Sequence, residues 1–115
     1  MEHTKLDAWK EAVELTVDIY ALTSSFPKEE LYGLTSQIRR AAVSVPSNIA
    51  ERSARKGVAE TIQFLYVAVG SLAELETQIE ISRRLGYVSK VEDITKRILL
   101  VKQLTLGLIR YLKSV

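Results

Sequence analysis

Leu34-Thr35-Ser36-Gln37-Ile38-Arg39-Arg40-Ala41-Ala42-Val43-Ser44-Val45-Pro46-Ser47-Asn48-Ile49 is the stretch that decides the fold. Leu34, Ile38, Ala41, Ala42, Val45 and Ile49 fall at i, i+4, i+7, i+8, i+11 and i+15, the spacing of one helix face. Pro46 lies inside that stripe. Proline removes a backbone donor and crowds the preceding turn, so a kink is expected there, not an end. Ser44 and Ser47 beside it can take up freed backbone groups.

Working outward, this helix begins in earnest after Gly33 and runs to about Lys56, with Gly57 marking the next turn. A third helix covers about Val58 to Leu85, and Gly86 suits a left-handed C-cap. Ser89-Lys90-Val91-Glu92 reads as a capping box opening a fourth helix that continues to about Lys113. Upstream, Thr23-Ser24-Ser25-Phe26-Pro27 is a turn, and Glu29 and Glu30 after it complement a helix N-terminus. A first helix spans about Leu6 to Leu22, with Thr4 and Asp7 at capping-box spacing. Short connections between long helices make neighbours antiparallel. The expected fold is all-α: one domain over residues 1–115, an up-down-up-down antiparallel four-helix bundle with a proline kink in the second helix.

Composition narrows the chemistry. The 115 residues are 47% hydrophobic, enough for one core. Sixteen Lys and Arg against fourteen Asp and Glu leave a net charge of only +2, so bulk charge does not announce a nucleic-acid binder. The absence of Cys excludes disulfides and thiolate chemistry, and a single His, His3, argues against histidine catalysis or a His metal cluster. The N-terminal ten residues are polar and of mixed charge, unlike a signal peptide. The apolar stretch from Phe64 to Ala73 is about half the length that spans a bilayer. A soluble, cytoplasmic protein without a cofactor is the expectation. GxGxxG, Walker and GxSxG motifs do not occur, and Trp9, Tyr20, Phe64 and Tyr66 stand at core spacings that read as packing.

The apolar faces are too wide for a lone bundle. A bundle helix needs an apolar stripe of about 100–140°, whereas that of the first helix is nearer about 220°. Its polar residues, Asp7, Lys10, Glu11, Glu14 and Asp18, form one narrow strip. On the fourth helix Ile94, Ile98, Val101, Leu104, Leu108 and Leu112 make one face, while Leu99 and Leu106 point elsewhere. Surplus apolar area left in water costs on the order of 25 cal/mol per Å². Burial against further copies is therefore expected, with Leu99 and Leu106 at the oligomer interface. Gly70, in mid-helix beside Ala68, Ser71 and Ala73, is expected to sit at a close helix contact, because it costs up to about 1 kcal/mol relative to Ala.

Two polar groupings remain. Asn48, Glu51 and Arg55 share one face of the second helix, and Ser71 and Glu74 one face of the third. Meeting faces would make an interhelical polar network that sets helix register. A two-carboxylate metal or acid–base site is the alternative, although the Glu-x-x-His pairs of di-metal bundles do not occur. Arg39, Arg40, Arg52, Arg55 and Lys56 lie between Leu31 and Lys56, where Glu51 is the single acid, giving a local charge of +4. Arg83, Arg84 and Lys90 cluster at the third turn, and Lys96, Lys102, Arg110 and Lys113 along the fourth helix. Such charges are individually solvated, but symmetry would multiply them into a phosphate-binding field.

From Tyr32-Gly33-Leu34 through Arg39-Arg40-Ala41-Ala42-Val43-Ser44-Val45-Pro46-Ser47-Asn48-Ile49-Ala50-Glu51, the chain resembles the four-helix-bundle proteins of the ribosomal-RNA intervening-sequence family. Trp9 and Ala12, the Leu22–Pro27 turn, and Phe64-Leu65 through Gly70-Ser71 to Glu74-Leu75 extend the resemblance. That family is similar to the accessory variability determinant of diversity-generating retroelements, a basic homopentamer that binds nucleic acid and a reverse transcriptase. The resemblance implies a homopentamer with RNA or DNA contact, and a reverse-transcriptase-like or other protein partner. The matching residues are Arg39, Arg40, Asn48, Glu51, Arg55 and Glu74. Arg52 stands where the family usually has Gly, which adds a cation near Arg55. The leading expectation is a non-enzymatic oligomer that binds nucleic acid through Arg39, Arg40, Arg52, Arg55 and Lys56. The alternative is a structural or protein-interaction scaffold.

Overall fold

The computed structural model describes residues 6–51 and 57–115. Four helices carry nearly all of the described chain: α1 (Asp7–Thr23), α2 (Leu34–Ala50), α3 (Val58–Arg84) and α4 (Glu92–Lys113), with one 3-10 turn at Lys28–Glu30. There is no strand among the described residues. The helices form a four-helix bundle 46 Å long, in which α1 and α3 each pack against both α2 and α4.

The core follows from sequence spacing. Thr61, Leu65, Ala68, Leu72, Leu75, Ile79 and Ser82 are buried along α3 at alternating steps of four and three, the seam spacing of helices crossing at a shallow angle. Ala8, Ala12, Leu15 and Ile19 repeat it on α1, and Ile38, Ala42, Val45 and Ile49 on α2. On α4 the buried row is Ile94, Ile98, Val101, Thr105, Ile109 and Leu112. Leu104 and Leu108, assigned to that face by sequence, are only half-buried. The face turns slightly because Thr105 can be buried: its hydroxyl donates to the Val101 carbonyl at 2.7 Å.

Helix ends depart from expectation in instructive ways. Gly86 does adopt the left-handed conformation, at φ +80°. The Gly86 amide donates to the Arg83 carbonyl and the Tyr87 amide to that of Ser82, which closes α3 with a Schellman motif. The Ser89–Glu92 capping box does not form: α4 starts at Glu92 after Val91, with no side-chain cap, too late for Ser89 to reach its first amides. Thr4 lies outside the described residues, and α1 has no side-chain cap. At the start of α2 the cap comes from Glu30, whose Oε1 accepts from the Leu34 amide at 3.2 Å. A Cβ at Gly33 would stand 3.0 Å from that oxygen, so glycine makes room for the cap.

α2 runs through Pro46 to Ala50. Proline has no N–H to give the Ala42 carbonyl. Ser44 and Ser47, expected to compensate, do not serve that carbonyl. Thr16 of α1 does, with its hydroxyl 3.1 Å from the Ala42 oxygen and 2.9 Å from that of Ala12. The expected extension of α2 to Lys56 falls on residues outside the description beyond Glu51. By length and composition alone α3 could cross a membrane, the one such helix among the described residues. Its inward row nevertheless packs into the bundle.

Candidate functional site

The expected basic cluster is described only in part, because Arg52, Arg55 and Lys56 lie outside the described residues. Arg39 and Arg40 line an open groove of about 650 Å³ at the α1–α2 seam, with Tyr20, Leu31, Tyr32, Thr35, Ser36 and Val43. No acidic residue is in that lining. Arg39 is held in place: its Nε donates to Thr23 Oγ1 at 2.9 Å, and its guanidinium carbon sits 4.6 Å above the Tyr20 ring. Thr23 is itself buried, and its hydroxyl donates to the Ile19 carbonyl at 2.8 Å. A buried threonine at the end of α1 thus anchors the arginine. Arg40 is exposed.

Tyr20 was expected to pack in the core and does not; it is exposed in this groove, and Tyr66 is exposed beside Lys113, whose Nζ is 3.0 Å from its hydroxyl. Trp9 is half-buried against the core, as is consistent with packing. Tyr32 is 94% exposed, the most open large side chain of the groove. Thr35 is 3% exposed, and its hydroxyl has no hydrogen-bond partner. Sequence reasoning passed over both, although a signal was present. Tyr32, Ser36, Arg39, Arg40 and Val43 follow i, i+4, i+7, i+8 and i+11, a second helical row beside the apolar stripe.

Part of the expected polar network lies within the described residues. Ser44 and Ser71 hydroxyls pair across α2 and α3 at 2.8 Å, and Asn48 Nδ2 donates to the Ser44 carbonyl and hydroxyl. Asn48 and Ser71 are therefore joined through Ser44. Glu51 and Glu74 are exposed, and Glu74 accepts from Gln78 on its own helix at 3.4 Å. Arg55 lies outside the described residues. Among the described residues no three of His, Asp and Glu gather as a metal-holding group.

Arg83, Arg84 and Arg97 differ from Arg39 and Arg40. Arg83 and Arg84 both grip Glu80, each at 2.8 Å. The hydrogen bond from Arg83, then that from Arg84, lowers the Glu80 carboxyl to about 2. Arg97 of α4, which sequence reasoning did not single out, bridges Glu11 at 2.6 Å and Asp18 at 3.0 Å on the polar strip of α1. It lines a mixed-charge groove with Lys90, Asp93 and Lys96. Both clusters carry carboxylates among their cations.

α3 and α4 leave several large apolar side chains in water among charged neighbours. Val67 and Leu99 are each 51% exposed, and Leu100 and Tyr111 are exposed too. Leu106 is half-buried against the core, so of the two leucines expected at an interface Leu99 is the more open. Gly70 is not at a close helix contact within the chain, for a Cβ there would meet nothing within 4 Å.

Comparison with curated proteins finds no match. The profile of one family matches residues 4–107, and that family is not a known enzyme family. By this match over most of its length, the chain belongs to the 23S rRNA-intervening sequence protein family.

Proposed function

We propose that the protein is a non-enzymatic, cytoplasmic bundle that assembles with copies of itself, a homopentamer being the first choice, and binds the phosphate backbone of nucleic acid. The observation carrying the reading is the α1–α2 groove, where no acidic residue shares the lining with Arg39 and Arg40 and Arg39 is already fixed by Thr23 and Tyr20. Preorganisation lowers the entropy lost when a flexible cation grips a phosphate. Arg52, Arg55 and Lys56 would extend the positive field, and symmetry would repeat it around the assembly.

The exposed apolar residues of α3 and α4 support self-association, since open apolar area on this scale favours burial. They also favour the second reading, a scaffold whose partner is another protein, such as a reverse-transcriptase-like enzyme. Titrating binding of a labelled oligonucleotide against salt, with solution mass from light scattering, separates the two. Affinity that falls linearly on a log–log salt plot, from an assembly of several chains, supports the proposal. No binding at low salt sinks the nucleic-acid half, and a monomeric mass sinks the assembly half.

A further inference from the structure

The groove beside Arg39 and Arg40 holds more than backbone binding requires. Phosphate contacts need cations and amides, yet two tyrosines line this groove, and Tyr32 has almost its whole side chain in water. An aromatic ring this open offers its face to a planar ligand. It is also well supported. It precedes Gly33 in a short turn where the Leu31 amide donates to the Lys28 carbonyl, the Gly33 amide to that of Glu30, and the Leu34 amide to the Glu30 carboxylate. The ring therefore stands on a braced backbone. The volume of about 650 Å³ lies within the range of small-ligand sites. A ligand with a planar face and negative charge matches the open tyrosine and the cations together.

Resting on the proposed nucleic-acid reading, we infer that this groove takes an unpaired nucleotide, so that single strands are bound in preference to duplex. The base stacks on Tyr32, and the adjoining phosphates meet Arg39 and Arg40. Aromatic stacking beside cations is the general means by which proteins hold single strands without reading sequence. In a duplex the bases are stacked on one another and cannot offer a face to Tyr32. The cation over Tyr20 is the scaffold of the site, because one face of that ring is already covered by Arg39.

The test measures fluorescence anisotropy of three labelled probes at one salt concentration: a single-stranded oligonucleotide, the same backbone with abasic sites, and the matching duplex. Tyr32→Ala, Tyr32→Phe and Arg40→Ala are compared with the unaltered chain. Their melting midpoints confirm folding, which the exposure of Tyr32 and Arg40 should leave intact. The intact single strand is expected to bind roughly tenfold more tightly than the other two probes. Tyr32→Ala should lose that margin on the single strand alone, Tyr32→Phe should keep it, and Arg40→Ala should weaken all three probes. Equal binding of the three probes, or Tyr32→Ala binding as the unaltered chain does, overturns the inference while leaving backbone binding standing. Failure to bind any probe overturns both. A lower solution mass for Tyr32→Ala would show that a second copy fills the groove, and would also overturn it.

Discussion

The α1–α2 seam and the outer face of α3 and α4 are built from opposite materials. The seam is tied by directed polar contacts: Thr16 to the carbonyl that Pro46 leaves free, and Arg39 to Thr23 and Tyr20. As α2 passes from Arg39 to Ala42, its partners on α1 pass from Thr23 back to Thr16. On α3 and α4, by contrast, Val67, Leu99 and Tyr111 stand exposed and Gly70 is open. The difference teaches where each region finds its partners. Groups at the seam are largely satisfied inside the chain, with cations and Tyr32 facing out. Val67, Leu99 and Tyr111 remain open to solvent.

The largest expected effect separates two neighbours on α3. Leu65 is fully buried, so Leu65→Ala should cost about 2–5 kcal/mol in urea melts. Val67, two residues on, faces out, and Val67→Glu should leave the unfolding of the dilute chain within about 0.5 kcal/mol. In the proposed assembly the same substitution should lower the solution mass, because a charge would then enter an apolar contact between copies. A mass unchanged by Val67→Glu would remove this face from the assembly.

A smaller effect turns on sign. With space around Gly70, Gly70→Ala should stabilise the dilute chain by up to about 1 kcal/mol through helix propensity. If a copy's backbone approaches Gly70, the added methyl should weaken association. Melts across a range of protein concentrations read both: a midpoint raised at low concentration, and one that gains less as concentration increases. A uniform rise would place Gly70 outside any contact.

The smallest effect belongs to the end of the bundle near the seam. Tyr87 donates to Glu30 Oε2 at 2.8 Å, and its ring lies 5.4 Å from that of Phe26. The hydrogen bond to Glu30, then burial and the negative charge of Glu30, raise the phenol above its usual 10. The folded chain therefore holds this proton more tightly than the unfolded chain does. The contribution is complete below the unfolded value and is lost as pH rises through the higher folded one. Stability should decline at alkaline pH, and Tyr87→Phe should flatten that part of the profile and leave the acid side unchanged. The same alkaline decline in Tyr87→Phe would assign it to other groups.

Much of the fold was legible because it depends on local spacing. The stripe from Leu34 to Ile49, the start of α3 after Gly57 and the left-handed Gly86 each follow from a few consecutive residues. The site was legible in halves. Arg39 and Arg40 stood out by charge, whereas Tyr20 was taken for core. A helix wheel shows that a residue lies beside the apolar stripe but not whether a neighbouring helix covers it. That Asn48 reaches Ser71 through Ser44 was not legible either, since which hydroxyls meet depends on the register between α2 and α3.

Sequence alone determined four amphipathic helices, their approximate limits, a surplus of apolar surface and a local excess of positive charge. These are sums and periodicities over neighbours in the chain. Only tertiary structure decided that Thr16 serves the Ala42 carbonyl, that Thr23 and Tyr20 hold Arg39, that Arg97 links Glu11 and Asp18, and that Gly70 lies open. Each depends on the rotation and offset of one helix against another. A hydrogen bond is lost over a displacement of about 1 Å, which is finer than any helical period can specify.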